Sequence, residues 1–225
     1  MSQPARIATR ESLPLTAERL FAQDGVEGVS LRAIALAAGQ RNVSALHYHF
    51  GGKEPLIGAL LAMRLQPINA RRKELLASLD RENRGEDLRG LVEALTLPML
   101  EQLQDPDNHW VGLLHQLYLH TQDGLIFAGI DAALVTGMDH IFTRIARVLA
   151  PLPTALRESR MRLAGAQQVY SAADWYYRRA AGQQVIPLEQ LAANLVDFIV
   201  GGLMAPVSPG RIRLGKPALR TAQAL

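Results

Sequence analysis

The chain has 225 residues, 48% of them apolar and 20% charged, with a formal net charge of +3. That balance supports a buried core and excludes wholesale disorder. Cysteine is absent, which excludes a disulfide framework, a thiolate metal centre and a cysteine nucleophile. The opening MSQPARIATRESLPL has no apolar core of the kind a secretory signal carries. The most apolar stretches, GLIFAGIDAALV and LVDFIVGGLMAPV, are interrupted by Asp131 or Asp197 and fall short of the roughly 20 apolar residues that cross a membrane. A cytoplasmic protein with no membrane contact is expected.

Apolar residues recur three and four apart almost throughout, with no sustained alternation and no internal repeat, so the expected fold is all-α. A first helix is predicted from Ser12 to Asp24, with Ser12 as its cap, Pro14 in its first turn and Gly25 at its end. After the connector GVEGVS, Ser30 should cap a short helix, LRAIALAAG, whose Leu31, Ile34 and Ala38 share a face and whose Gly39 ends it. Asn42 is the expected cap of VSALHYHF, which Gly51 and Gly52 stop. A long helix then begins at Lys53, with Pro55 tolerated in its first turn and Pro67 expected to kink or break it. Further helices are predicted over EDLRGLVEALTLPMLEQLQ, DNHWVGLLHQLYLHT, LIFAGIDAALVTGMDHIFTRIARVLA, TALRESRMRLAGAQQVYSAADWYYRRA and PLEQLAANLVDFIVGGLM. The periodicity fades from Ala205, leaving a loose tail that carries Arg211, Arg213, Lys216 and Arg220 without an acid.

The segment AGQRNVSALHYHFGGKE concentrates hydrogen-bonding side chains that a core-filling helix would not need. Two short helices joined by a tight turn, the second polar on its outer face, are the parts of a helix-turn-helix. Val43, Leu46 and Phe50 form a stripe that would hold the second helix to its partner, leaving Ser44, Ala45, His47 and Tyr48 for a DNA major groove. Small side chains at Ser44 and Ala45 permit close approach to the bases. Asn42 and Val43 open that helix and Arg41 and Lys53 flank it, where a duplex backbone would pass; Ser30 and Arg32 open the preceding helix, whose amide end favours a phosphate.

AERLFAQDGVEGVSLRAIALAAG followed by SALHYHFGGKEPL closely resembles the N-terminal region of the TetR family of bacterial transcriptional regulators, over about Thr9 to Leu60. The pattern differs in the longer GQRN turn and in His47, where the family usually has tyrosine. The resemblance implies a three-helix DNA-binding domain, a helical ligand-sensing domain, a homodimer and repression relieved by a small molecule. On that basis residues 1–52 are expected to form the DNA-binding domain, 53–204 the ligand-binding and dimerisation domain, and 205–225 a basic tail. Double-stranded DNA, as a palindromic operator, and a small effector are the expected partners. The alternative is a helical ligand-binding protein of the same fold that has lost sequence-specific DNA binding.

In the C-terminal helices, Met63, Met99, Trp110, His115, Tyr118, Met138, Tyr170 and Asp174 are candidates for a mostly apolar ligand cavity with a few orienting polar groups. Leu188, Leu191, Leu195, Ile199 and Leu203 make a stripe expected at a dimer interface, where Gly201 and Gly202 would permit close approach. No cofactor or metal is expected. His47 and His49 project to opposite sides of a helix, His115 and His120 are five apart, and no catalytic motif is present.

Overall fold

The computed structural model describes residues 3–39, 50–120 and 130–208, and every regular element among them is helical. Helix α1 spans Gln3–Asp24. It starts well before Ser12, so Ser12 is not its cap and Pro14 lies inside it, buried. The added segment contains no glycine, and its own Pro4 falls in the first turn, where a missing N–H costs nothing. Leu13, Ala17 and Phe21 recur every four residues and are fully buried. Gly25, at φ +78°, ends the helix as its N–H donates to the Phe21 carbonyl at 3.1 Å.

Helix α2, Leu31–Ala37, is capped by Ser30, whose Oγ accepts from the Ala33 N–H at 3.1 Å. Ile34 and Ala35 are its buried residues, with Leu31 and Ala38 packed half-buried beside them. Gly39 follows at φ +70°. Gly51 is also left-handed at φ +75°, whereas Gly52 is extended.

Helix α3 runs unbroken over Lys53–Arg81, through Pro67. Proline within a helix costs about 3 kcal/mol. Here the apolar neighbours on both sides, Leu60, Leu61, Leu65 and Ile68, are buried and hold the two halves in line. Helix α4, Leu88–Leu100, is capped by Asp87 and buried on nearly every side, which makes it the centre of the C-terminal bundle. A 3-10 turn, Glu101–Gln104, leads on to α5, Trp110–His120.

The next predicted helix is shorter than its periodicity suggested. Asp131 caps a 3-10 turn, Ala132–Leu134, and α6 spans only Thr136–Val148. The cause is Asn69 of α3. Its Oδ1 accepts from the Gly137 N–H at 2.7 Å while its Nδ2 donates to the Ala133 carbonyl at 2.9 Å, so α3 takes the polar backbone groups that helix continuation would need. A Cβ on Gly137 would lie 2.7 Å from Asn69 Oδ1, so only glycine fits there.

Helices α7, Thr154–Ala180, and α8, Leu188–Met204, match their predicted spans. Helix α8 packs on α4 and α7, and α1 packs on α5. The α8 stripe expected at a dimer interface is used inside the chain. Leu191, Leu195, Ile199 and Leu203 are each 8% exposed or less, and Leu188 is half-buried against the same core. Exposed apolar residues of these helices include Leu163, Tyr170, Phe198 and Met204, and Gly201 and Gly202 are exposed beside them, where an added Cβ would meet open space.

Candidate functional site

Of the residues expected to touch DNA, Arg41, Asn42, Val43, Ser44, Ala45, His47 and Tyr48 lie outside the described residues, as do residues 209–225 of the basic tail. Ser30 and Arg32 are exposed at the start of α2, with the Ser30 hydroxyl committed to its cap. Lys53 is half-buried, and its Nζ donates to the Val26 carbonyl at 2.9 Å. Expected on a phosphate, this ammonium instead ties the start of α3 to the connector before α2.

A second tie lies one face further along. Glu18 of α1 is fully buried, and its carboxylate accepts from Arg64 Nε at 2.7 Å and Nη2 at 2.8 Å. Its Oε1 also accepts from the His109 N–H at 2.9 Å, so one carboxylate joins α1, α3 and the entry to α5. A buried carboxylate is tolerable only with such a fork and a further donor. The Tyr177 hydroxyl donates to the Ala22 carbonyl at 3.0 Å, adding α7 to the junction. Gly112 lets these elements close, since a Cβ there would lie 2.7 Å from the Tyr176 ring and 2.8 Å from Ala22 Cβ.

Burial holds the His109 imidazole below its ordinary range and pushes the Tyr176 phenol up to about 12, the latter helped by Tyr177 and Glu18. The protonated phenol and the neutral imidazole share a hydrogen bond of 2.7 Å between Tyr176 Oη and His109 Nδ1. A hollow of about 440 Å³ beside them is bordered by groups already partnered: Asn108 with Gln102, and Arg179 with the Leu103 carbonyl.

A second cavity, about 380 Å³, lies between α3, α4, α5, α6 and α7. Met99, Trp110, Tyr118 and Met138, all expected around a ligand, line it. The other four candidates do not. Met63 is 37% exposed on α3, and His115 stands edge-on between Tyr170 and Tyr177, with ring centroids 5.1 and 5.7 Å away. Tyr170 is itself exposed, and Asp174 points outward to pair with Arg178, its neighbour one helical turn on.

Sequence reasoning missed Arg72. This side chain belongs to the cavity wall and is 6% exposed. Its Nη2 donates to the Leu95 carbonyl at 3.2 Å, which also accepts from Gln168 Nε2 at 3.1 Å. Burial alone lowers the guanidinium to about 10. A signal existed: Leu65, Ile68, Arg72, Leu76 and Leu79 follow helical spacing, and all five are buried.

Among the described residues, no cluster of His, Asp and Glu suits a metal ion, and no helix is long and apolar enough to cross a membrane. Residues 15–60 match the family model described as bacterial regulatory proteins, tetR family. No curated protein matches the chain significantly. Among solved structures, it is similar to a putative tetR family transcription regulator from a Shewanella species, at 20% identity and a TM-score of 0.56, covering 85% of this chain and 95% of that one. It is similar also to the TetR family transcriptional regulator PfmR from Thermus thermophilus, at 19% identity and a TM-score of 0.54, covering 85% and 98%. Residues 15–60 thus carry the N-terminal region that the tetR family model describes, and the chain as a whole shares the all-helical fold of these solved regulators.

Proposed function

We propose that the protein is a homodimeric repressor that leaves a palindromic operator when a small, mostly apolar molecule enters the cavity. One observation carries the reading. The cavity and the N-terminal helices share α3, which contributes Leu65, Ile68 and Arg72 to the cavity wall and, nearer its start, holds Val26 through Lys53 and Glu18 through Arg64. A ligand that prefers one setting of α3 therefore prefers one setting of the N-terminal helices, and its differential affinity shifts the population away from DNA. Residues 1–52 act as the DNA-reading unit, 53–204 as the sensing and pairing unit, and 205–225 as an appended basic tail. Arg41, Asn42, Val43, Ser44, Ala45, His47 and Tyr48 are the proposed groove-reading set, with Ser30 and Arg32 at the adjacent backbone.

Pairing is assigned to the outer face of α7 and α8. Leu163 and Phe198 are 66% and 62% exposed, and the bare backbone at Gly201 and Gly202 would let a second copy approach closely. Two-fold pairing sets recognition helices about 34–36 Å apart, one turn of DNA. Phe198→Asp should give monomers in sedimentation; an unchanged dimer would remove this face from the assembly.

Selection of DNA from a random duplex pool tests the whole reading. A recovered palindrome, with binding reduced at fixed salt by Arg41→Ala or Tyr48→Ala, is expected. Recovery of no preferred sequence would favour a helical binding protein that keeps the fold without reading DNA.

A further inference from the structure

The cavity wall presents hydrogen-bond donors without acceptors. Arg72 Nε and Trp110 Nε1 are both buried, both belong to the wall residues, and neither has a partner among the described residues. Each of these atoms can only donate. The nearest protein acceptor used by Arg72, the Leu95 carbonyl, already serves two donors and has no lone pair left. A buried cation lacking a counter-charge is costly, and it persists where something else supplies the charge. Glu158 sits on the same wall but is exposed to water and forms no ion pair with Arg72. Arg162, exposed like Glu158, and the polar groups of Tyr118 and Gln168 also border the cavity, and the rest of the surround, including Ile68, Met138 and Phe142, is apolar.

We propose that the cavity takes an apolar monocarboxylate, its acid head accepting from Arg72 Nε and its body lying along Ile68, Met138 and Phe142. The inference rests on the cavity's being a ligand site, as the functional reading holds, and adds the charge of the ligand. One buried arginine matches one negative charge, and a volume of about 380 Å³ suits a body of modest size. A neutral carbonyl would accept the N–H but leave the guanidinium uncompensated, whereas a carboxylate does both through a charge-assisted bond. Because Arg72 stands on α3, the head would pull on the helix that also carries Lys53 and Arg64.

The test titrates the full-length protein with decanoate, decanol and decylamine, following tryptophan fluorescence and calorimetric heat. Decanoate should bind at least tenfold more tightly than decanol, and decylamine most weakly. In Arg72→Met the preference for decanoate over decanol should vanish, and Arg72→Lys should keep part of it. Ile68→Trp, which fills the cavity, should abolish binding of all three. Equal affinity for decanoate and decanol in the unaltered protein, or tighter binding of the amine, overturns the charge assignment while leaving the cavity a ligand site. Binding of none of the three overturns both. The comparison of ligands on the unaltered protein decides the matter even if the Arg72 variants fail to fold.

Discussion

Arg64 and Arg72 stand two turns apart on the same helix and live under opposite conditions. Arg64 forks onto a fully buried glutamate that also takes a backbone N–H from another helix, so charge and hydrogen bonds are both matched. Arg72 is buried more deeply and keeps an unpartnered Nε facing no acid. The difference separates two uses of buried charge. A satisfied pair fixes the relative placement of elements, while an unsatisfied one keeps a site ready at a cost in stability.

Glu18→Ala is the severest challenge to that distinction. It strands Arg64 and the His109 N–H, and should destabilise the fold by about 3–5 kcal/mol in urea unfolding. Arg72→Met should instead leave the ligand-free protein within about 1 kcal/mol of its parent, or more stable, because it removes a charge that lacks a partner. Equal losses from the two would erase the contrast. Gly112→Ala probes the same junction sterically. With a Cβ set 2.7 Å from the Tyr176 ring, a loss of roughly 1–3 kcal/mol is expected, and a neutral result would mean that α1, α5 and α7 are loosely seated. Ser30→Ala should cost about 1 kcal/mol through loss of the α2 cap, with Lys53 and Arg64 contacts untouched.

The smallest effect is with acid. His109 and His115 both sit below the ordinary imidazole value of 6.5, chiefly through burial. The unfolded chain therefore binds more protons than the native one just below that value, so stability is full above it and falls as pH drops through about 6.5. Thermal unfolding between pH 8 and 5 should show this decline, and His109→Gln should flatten part of it.

The helix spans of α7 and α8 were legible because proline and glycine bracket clean periodic runs. The length of α1 was not, since Pro14 looked like a first-turn residue until the helix proved to start earlier. The end of the long predicted run before α6 was hidden because a distant side chain, Asn69, claims its backbone groups. The Leu191 to Leu203 stripe was visible, but an apolar face does not say whether its partner is the same chain or a second one. Glu18 and Arg72 both interrupt buried apolar stripes, a charge where periodicity demands a hydrophobe. Charges in that position were the most informative signal left unused, and they lead to both halves of the site.

Pro67 falls between the two arginines, where it leaves one carbonyl of α3 without its usual donor. Fourteen residues separate it from Lys53, about 21 Å at 1.5 Å per residue. A change of bend of about 10° there would carry the start of the helix roughly 3.7 Å sideways. Doubled in the proposed two-fold dimer, that swing is slightly over a fifth of the roughly 34 Å between successive grooves. In the proposed repressor a single imino acid would thus act as the elbow that turns a small pull deep in the bundle into a misfit on DNA.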